Sequence, residues 1–136
     1  MRTHQGSHCV FWVVGFHYMT PEYTDAAHYL GKSVTVLIDR PLGTKHPKYG
    51  YRYPINYGFV EGTISPDGRE LDAYVLGVDE PVGEYTGRCI AIIRRITAPD
   101  DKLIIVPEGK TFSQEEIREA THFQEQFFQI EMIFPS

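Results

Sequence analysis

The chain is short of cysteine, of positive charge and of long apolar runs, and each shortage removes a class of protein. Cys9 and Cys89 are its 2 cysteines in 136 residues. They give no framework of paired spacings, so a disulfide-stapled scaffold is set aside and a reducing cytoplasm is the expected setting. Both read as buried apolar residues rather than reactive thiols. Lys and Arg total 13 against 18 Asp and Glu, a formal charge of -5, which argues against an electrostatic grip on nucleic acid. The apolar stretch from Cys9 to Phe16 falls far short of the roughly 20 residues a membrane helix needs. It is also a poor signal peptide, because Arg2 alone supplies a basic leader charge. Neither nucleic acid nor a membrane is therefore an expected partner. The histidines are scattered and no Cys–His cluster has zinc spacing, so a soft-metal site is not expected. Repeats, linkers and low-complexity segments are absent, and the length fits one domain.

What is present reads as a mainly β chain closed by one helix. Val34, Val36 and Ile38 alternate with Thr35, Leu37 and Asp39, the period of a strand with one face inward. Arg40-Pro41-Leu42-Gly43 ends it. A second extended segment is expected from about Arg52 to Glu61, made irregular by Pro54. Further strands are expected over 71–78, 88–96 and 102–106, separated by Gly- and Pro-containing connections. Short strands in this number predict a small five-stranded, OB-like barrel. Ser113-Gln114-Glu115-Glu116 is a capping-box start, and Ala120, Phe123, Phe127 and Ile130 are expected on one face of an amphipathic helix packed on the barrel. Residues 130–134 read as a terminal strand or tail.

The chemistry concentrates in acidic turns. Asp67-Gly68-Arg69-Glu70-Leu71-Asp72 starts in a turn and ends on a strand, so Asp67 and Asp72 can converge when Pro66-Asp67-Gly68 folds back. Two neighbouring carboxylates repel unless a cation lies between them. Asp100 and Asp101, just before Lys102 and an apolar strand, bring a further carboxylate from another turn. Taken singly these are ordinary turns; taken together Asp67, Asp72 and Asp100 read as an all-oxygen site for a hard cation, magnesium first and manganese second.

Tyr53-Pro54-Ile55-Asn56-Tyr57-Gly58, then Asp67-Gly68-x-x-x-Asp72, then Asp100-x-Lys102-Leu103 resemble the soluble, magnesium-dependent inorganic pyrophosphatases of the single-barrel type, over about residues 33–107. The resemblance implies hydrolysis of inorganic diphosphate to two orthophosphates by a metal-activated water, in a cytoplasmic homo-oligomer with pyrophosphate as substrate. It implies that Asp67, Asp72 and Asp100 hold the metals, that Asp39 stands where the family has a supporting Glu, and that Tyr57 lines the site. Lys102, Arg52 and either Lys45 or Lys48 are the phosphate-binding candidates it leaves; Asn56 reads as a loop brace. Two departures stand out. Arg69 replaces a usual acidic residue, for which Glu70 is the candidate substitute. Phe127-Phe128-Gln129 replaces a Tyr-Lys pair, so phosphate grip is expected to be weaker or to come from Arg94 or Arg95. The other readings are an OB-like binding module and a divergent pyrophosphatase-like protein that is inactive or acts on another phosphoanhydride. The resemblance starts near Tyr29, so residues 1–28 are expected to be an extension, with Met19 the expected biological start, and 29–136 the barrel domain.

Overall fold

Period-2 alternation sorts each central strand into one side chain set for the barrel interior and another for its outer wall. In the computed structural model, which describes residues 13–14, 17–18, 22–98 and 100–136, the strands are β1 Val13–Val14, β2 His17–Tyr18, β3 Ser33–Arg40, β4 Asn56–Val60, β5 Leu71–Val75, β6 Glu84–Arg95, β7 Asp100–Val106 and β8 Ile130–Ile133. Helix α1, Gln114–Glu125, lies between β7 and β8. Among the described residues, β1 and β2 pair with each other alone. Cys9, Met19 and most of the expected extension lie outside the described residues.

The other strands are ordered β3-β4-β5-β7-β6, and β6 pairs back onto β3, so five strands close into a barrel. Only β5 and β7 run parallel; the remaining barrel pairings are antiparallel. The twelve residues of β6 serve two neighbours along one edge: residues 84–88 pair with β3, and residues 92–95 pair with β8. Val36, Ala73, Val75, Leu103 and Ile105 fill the interior, each 0% exposed. Burying each larger aliphatic contributes about 1.5–3 kcal/mol relative to exposure. The alternate residues Tyr57, Tyr74, Ile93, Ile104 and Val106 face outward and are roofed by Ile117 and Phe123 of α1.

The capping box forms as expected: the Ser113 hydroxyl accepts from Glu116 N at 3.1 Å, and the Glu116 carboxylate accepts from Ser113 N at 2.8 Å. The expected helix face needs correcting. α1 stops at Glu125, Phe127 lies beyond it and is 66% exposed, and Ile130 begins β8. The buried row is Ile117, Thr121 and Glu125, spaced by four. Two of these are polar, which is why apolar periodicity did not register them. The Thr121 hydroxyl donates to the Ile117 carbonyl at 2.9 Å, and Glu125 is ion-paired.

The segment expected as a strand from Arg52 enters β4 only at Asn56. Before it, Lys45 and Arg52 form an isolated bridge. Fully buried Asn56 braces this entry as expected: its carboxamide oxygen accepts from Leu42 N at 2.9 Å and Val82 N at 3.3 Å, and its amide donates to the Glu80 carbonyl at 2.9 Å. At the end of β3, Ile38 faces Gly58 while Arg40 faces Tyr57, so Asp39 is the extra residue of a β-bulge.

Candidate active site

The outward-facing parity of the barrel strands builds the site. On β7, Asp100 and Lys102 share a face with Ile104; on β5, Asp72 shares a face with Tyr74. Parallel pairing sets Asp72 beside Lys102, and antiparallel pairing sets Tyr57 beside Tyr74. Lys102, 2% exposed, sends its Nζ to Asp72 Oδ2 at 3.0 Å and to both Asp100 oxygens at 3.4 Å. The Tyr57 hydroxyl donates to the same Asp72 oxygen at 2.8 Å.

A groove of about 1160 Å³ opens over this cluster, and Asp39, Asp67, Glu70, Asp72 and Asp100 all line it. The acidic loop is held by its own turn: Gly68, at φ 87, permits the bend, and the Asp67 carboxylate accepts from Arg69 N at 2.9 Å. Arg69 and Glu70 also reach the groove wall.

Behind the cluster lies a polar network that sequence reasoning missed. Arg95, in cross-strand register with Asp100, donates to Asp100 Oδ2 at 3.0 Å and forms a two-point pair with Glu125 at 2.9 and 2.8 Å. The Tyr74 hydroxyl donates to Glu125 at 2.6 Å and accepts from the Gln124 amide at 2.8 Å. Gln124 in turn accepts from Tyr51 and Tyr53 at 3.2 and 3.1 Å. The Phe128 ring covers Arg95, its centroid 3.7 Å from Cζ. The Arg95–Asp100 register was a usable signal once β6 and β7 were paired; nothing in the apolar pattern marked Gln124 or Glu125.

Electrostatics follow from this packing. Burial disfavours the Lys102 ammonium, but Tyr57, Asp72 and Asp100 outweigh it and hold the pKa above the ordinary lysine value. Burial pushes the Tyr57 phenol upward, with Lys102 opposing and Asp72 adding to the rise. Both groups therefore keep their protons at neutral pH. Burial, Arg40 and Lys48 lower the pKa of His46, whose Nδ1 accepts from the backbone of Lys48 and Tyr49 at 3.0 Å each.

The expected phosphate binders divide. Lys102 is in the cluster, whereas Lys45, Lys48 and Arg52 are not on the groove wall. Arg52 donates to the Gly43 carbonyl at 2.9 Å, and the Lys48 ammonium lies 5.3 Å from the Tyr49 ring centroid. Lys45 and Arg52 face each other in the isolated bridge of this short hairpin. The substitutes are committed too: Arg94 is paired with Asp101 and lies off the groove, and Arg95 is held by Asp100 and Glu125.

The groove's acidic residues offer oxygen alone, the donor chemistry of a hard divalent cation. Among the described residues, no three His, Cys, Asp or Glu side chains close into a ready-made metal cluster. The Lys102 ammonium instead supplies positive charge between Asp72 and Asp100. Among the described residues, no helix is long and apolar enough to cross a membrane.

A family model described as inorganic pyrophosphatase matches residues 29–135. The inorganic pyrophosphatase of Streptomyces coelicolor is 42% identical over 80 residues, covering 54% of this chain and 47% of its own length. That of Mesorhizobium japonicum is 35% identical over 100 residues, covering 67% and 51%. The chain thus spans about half the length of the curated relatives it matches. The crystal structure of inorganic pyrophosphatase from Ehrlichia chaffeensis superposes with a TM-score of 0.60 at 19% identity, over 77% of this chain and 87% of that one, a likeness of fold. Its barrel repeats the architecture found here, and the family match runs through Asp39, Tyr57, Asp67, Asp72, Asp100 and Lys102; the chain belongs to the inorganic pyrophosphatase family.

Proposed function

We propose that this chain hydrolyses inorganic diphosphate to two orthophosphates in the cytoplasm, as a homo-oligomer requiring a divalent cation, magnesium before manganese. The observation that carries the reading is the convergence of Tyr57, Asp72, Asp100 and Lys102 on one outer wall of the barrel, beneath a groove lined by further carboxylates. The OB-like binding module is not favoured, because the groove is acidic and the family match covers the barrel.

Asp67, Asp72 and Asp100 would hold the cation, with Asp39 in support. When bound it would screen the diphosphate charge and lower the pKa of an attacking water. The chain's own residues do the rest. Tyr57 and Lys102, both protonated at neutral pH, donate to oxygens of the developing phosphate and give it fixed, buried charge compensation. Glu70 on the groove wall is the carboxylate that takes the water's proton, in place of the acidic residue whose position Arg69 occupies. Attack on phosphorus needs no covalent intermediate, since positioning and charge stabilisation suffice for phosphoryl transfer.

The test is phosphate release from pyrophosphate with and without magnesium, in the wild type and in Asp72→Asn. Magnesium-dependent release that falls by about a hundredfold or more in the variant is expected, as for removal of one charge-stabilising group. Equal rates in both proteins would overturn the assignment.

A further inference from the structure

Of the cations first assigned to phosphate, Lys102 lines the groove and Lys45, Lys48 and Arg52 do not, so an anionic substrate has fewer donors than the sequence promised it. Among the described residues, Lys102, Arg95, Arg69 and Arg40 are the Lys and Arg side chains on the groove wall. Two of these are shared with carboxylates: Lys102 lies against Asp72 and Asp100, and Arg95 against Asp100 and Glu125. A guanidinium fixed at both ends by carboxylates has little left for a phosphate.

Arg40 differs in its partners. Its Nη1 donates to the Tyr53 hydroxyl at 3.3 Å, and its Cζ stands 5.7 Å from the Tyr53 ring centroid. Among the described residues, no carboxylate forms a salt bridge with it. A neutral phenol orients the guanidinium without cancelling its charge, and among the described residues Nε and Nη2 make no hydrogen bond, which suits bidentate donation to oxyanions. Arg69, on the acidic loop, likewise forms no such pair among the described residues.

The backbone explains how Arg40 comes to be there. In an unbroken strand Asp39 and Arg40 would point to opposite faces. The extra residue in β3, opposite the Tyr57–Gly58 step of β4, breaks that alternation, and both side chains line the groove. Bulges re-aim side chains in this way. The bulge thus sets the Asp39 carboxylate and the Arg40 guanidinium, which has no salt bridge among the described residues, on the same groove wall.

We propose that Arg40 is a substrate-binding residue of this groove, gripping a phosphoryl group of the diphosphate, with Arg69 as the second donor. The assignment rests on the pyrophosphatase reading for its substrate class. It moves the anion grip from the hairpin between β3 and β4 to the bulge that precedes it. The grip acts on bound substrate and product more than on the reacting bond, so it should govern KM more than kcat.

The experiment compares wild type, Arg40→Gln and Arg40→Lys by pyrophosphate kinetics and by calorimetric binding of imidodiphosphate, whose bridging P–N–P linkage replaces P–O–P. Arg40→Gln is expected to raise KM about tenfold or more and to weaken imidodiphosphate by a similar factor, with a smaller change in kcat. Arg40→Lys, which keeps the charge but loses the planar fork, should fall between the two. Thermal melting of each variant accompanies the titrations. Equal imidodiphosphate affinity in wild type and Arg40→Gln overturns the assignment, as does a lowered melting temperature with KM unchanged. Failure of the wild type to release phosphate would instead strike the pyrophosphatase reading. Binding of imidodiphosphate would still decide whether Arg40 holds the anion.

Discussion

Glu125, the last residue of α1, holds Arg95 through two hydrogen bonds of 2.9 and 2.8 Å, and Arg95 passes the restraint to Asp100 at 3.0 Å. The Glu125 and Arg95 side chains are 2% and 10% exposed, so the pair is screened little by water. A helix end thereby fixes the position of a groove carboxylate on β7. Glu125→Gln keeps the shape but removes the more buried of the two counter-charges of Arg95, leaving Asp100 alone. Loss of one partner from a buried pair costs about 3 kcal/mol. Urea unfolding should show a loss of that order; a loss under about 1 kcal/mol would mean that the pair contributes little.

Gly58 is required by a close approach. Its φ is not positive, but an added Cβ would overlap the Leu37 carbonyl of β3. Gly58→Ala must push β3 away at the bulge that carries Asp39 and Arg40. Overpacking of this kind costs about 1–3 kcal/mol, and backbone cannot yield as a flexible side chain can. The expected result is a lower unfolding midpoint together with reduced pyrophosphate turnover. An unchanged midpoint would show that the two strands separate freely.

The barrel was legible because its strands obey a two-residue period and its turns carry Gly and Pro, and the start of the helix because Ser113 and Glu116 have capping-box spacing. Asp72, Asp100 and Lys102 were legible because turn chemistry and strand parity place them together. The hidden part of the site depends on contacts distant in sequence or on broken periodicity. Arg40 reaches the groove only because Asp39 is an extra residue, and alternation alone places it on the other face. Glu125 and Gln124 carry no mark in the apolar pattern; tertiary packing gives them Tyr74, Arg95, Tyr51 and Tyr53 as partners. Lys45, Lys48 and Arg52 lie off the groove wall for the converse reason: their charge was visible, but the hairpin geometry that places them was not.

Alkaline pH should destabilise the fold through the same cluster. Its phenol and carboxylate neighbours outweigh burial and leave Lys102 with a raised pKa, and burial raises those of Tyr57 and Tyr74. For lysine, a raised folded value means stability fully present below the unfolded pKa of about 10.4 and lost as pH climbs through the folded one. For the tyrosines, the unfolded chain ionises near pH 10 while the folded chain stays protonated, which favours unfolding in the same range. Both contributions have the same sign, since the native state binds more protons. Denaturant midpoints should stay level to about pH 9.5 and fall above about pH 10. Tyr57→Phe should fall less steeply; an identical slope would remove Tyr57 from the account.

Magnesium should stabilise the folded chain apart from any turnover. A ligand that binds the native state alone adds RT ln(1 + [L]/Kd), about 2.7 kcal/mol at a hundred times Kd. Asp72 and Asp100 are bridged by the Lys102 ammonium at 3.0 and 3.4 Å, so a divalent cation must share or displace that charge to reach them. The gain at a given concentration should therefore be modest and should depend on both carboxylates. Wild-type melting temperature is expected to rise with millimolar magnesium and to return on chelation. Sodium chloride at equal ionic strength should leave it unchanged, because simple screening is not site binding. Asp72→Asn and Asp100→Asn should each lose most of the rise. The same magnesium-dependent rise in both variants would place the bound ion away from this groove.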